Sequence, residues 1–207
     1  MRYNEFREAL KIFTVFSIDD IRRVDTRFNV RRLVEWQEKG YIKKVIRGHY
    51  IFSNLKFNEN VLFEIANKIY NPSYISFEMA LSFYHMIPES VYGLTSATSR
   101  KTMIFKTKVG DFIYRTIKPR LLFGYKLVDH NGKRFKLAEP EKALLDYFYI
   151  NTALKSENDF AEMRIGSDQY FTHVDENRLV AYLNEFRQKR LSKRVKSFME
   201  YMKNAQY

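Results

Sequence analysis

Over the first 55 positions the apolar residues recur at helical spacing and then switch to alternation. Phe6, Leu10 and Phe13 stand three or four apart and predict a first helix over residues 3–12. In "FSIDDIRRV" Ser17 occupies an N-cap position, and Asp20 can answer it from the third helical position. A third helix is expected from a cap at Asp25 or Thr26 to about Lys39, where Gly40 stops it. Two short strands, about 41–46 and 49–53, then meet across Arg47-Gly48. Three short helices followed by a hairpin is the order of a winged helix-turn-helix.

The pattern restarts near Asn54–Asn58, which predicts a DNA-binding domain over residues 1–56 and a second domain over 57–207. "ENVLFEIANKIY" and "SFEMALSFYHMI" read as helices, the latter capped by Ser76. Residues 94–137 turn to strand chemistry, broken by turns at Val109-Gly110-Asp111 and His130-Asn131-Gly132. Helix returns from Glu139, with Ala143, Leu144, Tyr147 and Phe148 on one side, and a last helical region runs from near Asp175 to about Lys203. The expected fold is α+β: an N-terminal winged helix-turn-helix, then a mixed domain of helices flanking a small antiparallel sheet.

Composition agrees with folded cores, since hydrophobic residues make up 45% and aromatics 16%. No apolar run reaches the roughly 18 residues of a membrane span, so no membrane partner is expected. The opening "MRYNEFREAL" is mixed in charge, unlike a signal peptide. The absence of cysteine removes disulfides, thiol catalysis and Cys-ligated zinc, and makes the cytoplasm the expected compartment. His49, His85, His130 and His173 are scattered without the spacing of a helical zinc site, so no metal is expected. Without a glycine-rich phosphate loop, no cofactor is expected either.

Charge adds more. The net +12 is uneven: residues 1–56 carry +6 and 101–142 carry +7, against −2 for 57–100 and +1 for 143–207. Such clustering points to a polyanion. On a helical wheel of residues 27–39, Val30, Leu33, Val34 and Gln37 share the face expected to be buried. Arg31, Arg32 and Glu35 project from the other, with Arg27 and Asn29 near the helix start. Arg suits guanine and Asn suits adenine in the major groove. Lys43, Lys44, Arg47 and His49 lie on or beside the hairpin, where cations meet phosphate or the minor groove. An ordinary surface helix also carries arginines; the adjoining basic hairpin favours double-stranded DNA. Trp36, the sole Trp, is expected to pack rather than to touch bases.

Residues 100–136 hold eleven cations. Lys101, Lys106, Lys108, Arg115, Lys118, Arg120, Lys133 and Arg134 form a candidate second nucleic-acid surface, with a solvated sheet face as the alternative. "RQKRLSKRVK" has six cations in ten residues and reads as a solvated helix face around Leu191 and Val195. A magnesium-dependent nuclease site commonly needs Glu-x-Lys on one strand beside another acid such as Asp111. Glu139 and Lys142 are instead three apart on an expected helix, so no catalytic residue is assigned and the chain is not expected to be an enzyme.

The succession "RRLVEWQEKGYIKKVIRGHYIFSN", "YISFEMALSFYHMI" and "FKLAEPEKALLDYFY" resembles the AbiEi-type antitoxins of bacterial abortive-infection toxin–antitoxin systems, which act in phage defence. The resemblance covers nearly the whole chain; the hairpin occurs in many regulators, but its combination with "EPEKALLD" is more specific. It implies a winged helix joined to an antitoxin domain, transcriptional repression of its own operon, and counteraction of a nucleotidyltransferase-like toxin. By the same resemblance Arg27, Asn29, Arg31, Arg32, Lys43, Lys44 and Arg47 would be the operator contacts. Because prokaryotic operators usually engage two recognition helices, an inverted-repeat site and a dimer on the DNA are expected. It implies no catalytic motif. Two other readings stand beside it: a solitary winged-helix regulator whose second domain senses a ligand, and an RNA-binding protein or nuclease using the central basic sheet.

Overall fold

Local signals carry the first 52 residues of the computed structural model, which describes residues 1–88 and 93–205. Helix α1 (Tyr3–Leu10) buries Phe6 and Leu10. Strand β1 (Phe16–Ser17) leads into α2 (Ile18–Val24), where Ser17 and Asp20 form the expected reciprocal cap: Asp20 N–H donates to Ser17 Oγ at 3.1 Å and Ser17 N–H to Asp20 Oδ2 at 2.9 Å. Helix α3 (Arg31–Glu38) begins later than its periodicity suggests. Asp25 and Thr26 do not cap it. Asp25 Oδ1 accepts the Arg27 N–H at 3.1 Å within a turn, and Asn29 Oδ1 accepts the Arg31 N–H at 3.0 Å at the helix entrance. Gly40, at φ +71°, ends the helix as expected. Strands β2 (Ile42–Ile46) and β3 (His49–Phe52) turn through Arg47 and Gly48, the latter at φ +80°. The sheet order is β1-β3-β2.

Around Phe6 gather the rings of Trp36 at 4.5 Å, Phe16 at 5.4 Å and Phe28 at 5.8 Å. Helix α3 reaches this cluster through Leu33 and Trp36 alone, while Val30 and Val34 stay 43% and 56% exposed. The expected buried stripe is thus rotated. A two-turn helix crossing a small core touches it along one i, i+3 line, and the Trp ring claims that line.

The second unit starts at α4 (Glu59–Ile69), capped by Asn58 Oδ1 on the Val61 N–H at 2.9 Å. Then come β4 (Ser73–Ile75), α5 (Phe77–Phe83), β5 (Leu94–Thr98), β6 (Met103–Thr107) and β7 (Gly110–Thr116). After them follow β8 (Tyr125–His130), β9 (Lys133–Ala138) and α6 (Pro140–Ile150). These strands form one six-stranded sheet in the order β6-β7-β5-β4-β9-β8. It is mixed rather than small and antiparallel, because β4 pairs parallel with β9 and β5 with β7. The key strand, β4, has only three residues, too few for alternation to announce it. Asn131 at φ +55° and Gly132 at φ +75° make the tight β8–β9 turn that the sequence marked.

Both faces of the sheet are covered. Tyr114 on β7 donates its hydroxyl to the Ala66 carbonyl of α4 at 2.6 Å. Its neighbour Arg115 points the other way and pairs with Glu78 of α5 at 2.8 Å. Behind α6 lie α7 (Glu157–Glu162), α8 (Ser167–His173), α9 (Glu176–Phe186) and α10 (Lys189–Asn204). Phe148 of α6 meets Phe198 of α10 at 5.2 Å. The single C-terminal helical region expected from the pattern is two helices, because Arg187 adopts φ +52° and breaks the run.

The two sheets meet at a seam. Val15, Val45 and Ile51 belong to the larger core although they come from the first 52 residues. Asp20 pairs with Lys68 of α4 at 3.0 Å. The Thr14 hydroxyl donates to buried Glu64, Lys133 Nζ donates to Thr14 at 2.8 Å, and His130 Nδ1 lies 3.3 Å from Glu64. Residues 53–58 connect β3 to α4. No helix among the described residues is long and apolar enough to cross a membrane.

Candidate nucleic-acid interface

The α3 face turned away from Phe6 carries Arg31, Arg32, Val34 and Glu35 in solvent. Trp36 holds the opposite side, also meeting the Tyr3 ring at 5.4 Å and the Phe28 ring at 5.7 Å. Arg27 and Asn29 are exposed in the loop before the helix, where Asn29 serves the Arg31 N–H with its oxygen. Its amide NH₂ remains available. Arg32 is partly engaged, since Nη1 donates to the Met1 carbonyl. Glu35 pairs with Lys39 at 2.6 Å, and the Lys39 ammonium holds the Glu35 carboxyl below its usual range.

Beside this face runs the basic hairpin. β2 is an edge strand, and its register shifts between Lys44 and Ile46. Lys43 and Lys44 are both exposed while Ile42 and Val45 are buried. A bulge breaks strict alternation, and here it leaves two successive lysines in water. Arg47 is exposed at the turn. Among the described residues none of Arg27, Arg31, Lys43, Lys44 and Arg47 has an ion-pair partner. His49 differs: it is half-buried at the start of β3, and burial pushes its imidazole below the ordinary 6.5. Burial thus disfavours the charged imidazole, the form that would add to the hairpin's charge.

The central cations are dispersed. Lys101, Lys106 and Lys108 flank or sit on β6, one edge of the large sheet, and Lys118 follows β7. Lys133 and Arg134 open β9 in the hairpin at the opposite edge. Four of the set are engaged within the molecule: Arg115 by Glu78, Lys133 by Thr14, Arg120 by the Glu185 and Phe186 carbonyls at 2.6 and 2.8 Å, and Arg134 by Asp129 at 3.9 Å. The strand order separates residues that the sequence draws together. β6 does lie beside β2, so the edge strand that carries exposed Lys106 adjoins the basic hairpin.

A buried polar cluster was not foreseen. Lys142 and Asp146, one turn apart on α6, form an ion pair with neither side chain exposed to solvent. Tyr74 and Ser76 donate to Asp146 Oδ2 at 2.7 and 2.8 Å. Ser76 thus stands at the α5 N-cap position, but its hydroxyl serves Asp146 instead of the helix. Lys142 Nζ lies 5.1–5.4 Å from the ring centroids of Phe186, Phe123 and Tyr74. Burial pushes the Lys142 amine below its ordinary 10.5, against the pull of Asp146. Glu139 accepts the Tyr182 hydroxyl at 2.5 Å, and buried Glu141 takes Arg178 at 3.0 Å. The polar residues of "EPEKALLD" are thus spent on contacts that seat α6. The i, i+4 Lys–Asp pair inside an apolar helix was the available signal.

A cavity of about 320 Å³ opens on the α5 side of the sheet, lined by the Glu78–Arg115 pair, Thr95, Tyr147, Glu162 and several aliphatic side chains. Phe77, which precedes the lining residue Glu78 in the chain and is fully buried, adopts φ +59°, a conformation bulky residues rarely hold. No protein-family model matches the chain, and no curated protein matches it.

Proposed function

We propose that the chain is a DNA-binding transcriptional autorepressor whose second domain is an antitoxin against a nucleotidyltransferase-like toxin. The observation that carries the DNA-binding half is the pairing of α3 with the β2–β3 hairpin, two adjoining elements with unpaired exposed cations. On this reading residues 1–56 are a winged helix-turn-helix domain. Arg31 and the Asn29 amide face base edges, exposed Val30 and Val34 suit thymine methyl groups, and Lys43, Lys44 and Arg47 take phosphates. Two copies engage an inverted repeat in the promoter of the chain's own operon, in the cytoplasm. The antitoxin half rests on the resemblance of "EPEKALLD" and its preceding motifs to AbiEi-type antitoxins.

The test uses the full chain on its own promoter. Arg31→Ala is expected to cost about 1–3 kcal/mol on operator DNA and little on random DNA. Lys43→Ala and Lys44→Ala are expected to weaken both equally and to lower the salt slope by about one each. An unchanged salt dependence would make the hairpin structural only. For the antitoxin half, Arg27, Arg31, Arg32, Lys43 and Lys44 are all changed to Ala. That variant is expected to lose repression yet rescue cells given the toxin from a foreign promoter. Loss of rescue at normal abundance would overturn it.

The cavity lined by the Glu78–Arg115 pair favours a second reading, a regulator whose second domain senses a small ligand. Mass spectrometry of small molecules released from protein purified out of its native cells tests it. A stoichiometric compound would support that reading, and none would remove it.

A further inference from the structure

The run at 187–196 acquires a shape in the folded chain that its sequence lacks. A groove of about 600 Å³ lies between Thr152 and Lys155 and the Arg190 side of α10. A second, of about 620 Å³, lies between the end of α9 and the Lys196 side. Lys193 borders both, and no acidic side chain lines either. Six cations result: Lys155, Arg187, Lys189, Arg190, Lys193 and Lys196, all exposed and none with an ion-pair partner among the described residues. Arg194 is different, donating to the Asn151 and Phe148 carbonyls at 2.7 and 2.9 Å and so fixing α10 on α6.

Solubility accounts poorly for this arrangement. A solvated face mixes signs, and cations in the first turn of a helix oppose its dipole. Here the first turn of α10 holds no acid. The grooves fit a phosphate backbone better than single-stranded bases, because no aromatic side chain lines them for stacking. Thr152, Ser192 and Ser197 supply hydroxyls of the kind that bond phosphate oxygens. Lys189, Lys193 and Lys196 run about 10 Å along the helix at ~1.5 Å per residue, enough to follow several phosphates of one strand at ~3.4 Å of axis each.

Location separates this surface from the hairpin. α10 packs behind α6, whereas the first 52 residues rest on α4, across the sheet. We infer that the grooves flanking α10 bind the phosphodiester backbone of a second DNA duplex without reading its sequence, so that the protein bridges two DNA segments. Backbone binding at α10 goes beyond the hairpin-bound operator and stands without it, whereas the bridging rests on that reading.

The full chain is titrated against a labelled random-sequence duplex at several salt concentrations. A hairpin variant (Lys43→Ala, Lys44→Ala, Arg47→Ala), an α10 variant (Lys189→Gln, Arg190→Gln, Lys193→Gln, Lys196→Gln) and their combination are compared. The hairpin variant is expected to keep measurable duplex binding, and the combination to lose at least tenfold more. In the hairpin-variant background the four α10 substitutions are expected to reduce the salt slope by about three to four. Bead-bound operator should capture a free labelled duplex through the parent and not through the α10 variant. Lys189→Arg, Lys193→Arg and Lys196→Arg together should preserve capture, and circular dichroism should show equal helix in all. Unchanged slope in the hairpin-variant background and unchanged capture in the α10 variant would overturn the inference, as would binding of poly-glutamate in place of duplex. If the hairpin variant removes all duplex binding, this inference falls and the hairpin reading stands. If the α10 variant alone removes it, the hairpin reading and the bridging both fall, and only backbone binding at α10 stands.

Discussion

Lys142 is the side chain whose environment constrains the molecule most. Its ammonium is enclosed by three rings and answered by Asp146, which also anchors Tyr74 of β4 and Ser76 just after it. Removing one partner of such a pair leaves an uncompensated buried charge and typically costs about 3–5 kcal/mol. Lys142→Met is expected to lose that much in urea unfolding, and Lys142→Met with Asp146→Asn to recover part of it. Full stability in the single variant would show that Asp146 is satisfied by its hydroxyl donors alone. Gly124 belongs to the same neighbourhood. At φ +68°, a Cβ there would stand 2.9 Å from the Tyr182 ring and 3.1 Å from Lys142. Gly124→Ala is expected to destabilise by about 1–3 kcal/mol, by strain and overpacking together. An unchanged midpoint in the same unfolding assay would show that the Tyr182 ring gives way freely.

Elements show where local chemistry suffices. The α2 cap was legible because Ser17 and Asp20 are both contributors and neighbours in sequence. The α3 entrance was misread because Asp, Thr and Asn all stand within five residues and any could cap. The chain follows Asn29, for Phe28 has to turn inward beneath Phe6 before the helix can start. Asn29 thereby holds two roles that substitutions separate. Asn29→Asp keeps the oxygen acceptor and is expected to retain stability while weakening operator binding, as it replaces a donor by a charge repelled by DNA. Asn29→Ala is expected to lose both, with about 1 kcal/mol from the cap. Equal operator affinity for Asp and Asn would confine the residue to capping. The C-terminal run failed differently: α9 and α10 share one helical periodicity, and only the left-handed Arg187 divides them.

In the whole molecule the seam between the two sheets decides how the parts communicate. Burial alone would raise the Asp20 carboxyl, but bonds from the Ser17 N–H and hydroxyl and from Lys68 bring it below its ordinary 3.8. A carboxylate depressed in the folded state contributes stability that is present above the unfolded value and lost as pH falls through the folded one. The seam is therefore expected to be intact at neutral pH and to loosen below about pH 4. Hydrogen-exchange protection, taken relative to the intrinsic rate at each pH, should fall there in the parent at the Ile18 amide, which donates to the Gly48 carbonyl at 3.2 Å. In Asp20→Asn that protection should already be low at pH 6 and change little on acidification. A parent insensitive to pH 3 would mean that the apolar contacts of Val15, Val45 and Ile51 hold the seam unaided.

The sequence by itself determined what neighbours can determine: the first helices, the Ser17–Asp20 cap of α2, the β2–β3 and β8–β9 hairpins, α4, α6 and the uneven charge. These rest on spacings of two to four residues and on turn chemistry, which act before distant parts meet. Tertiary structure decided the rest. The parallel pairing of β4 with β9 joins residues some sixty positions apart, and no local period encodes it. It decided that Val30 and Val34 face solvent, because Trp36 fills the small core first. It also sent the central lysines to opposite sheet edges, and gathered the six cations flanking α10 around two grooves that exist only once α9, α10 and residues 152–155 are packed together. Charge can be counted along a chain, but a surface for another molecule depends on which charges the packing leaves side by side and unpaired.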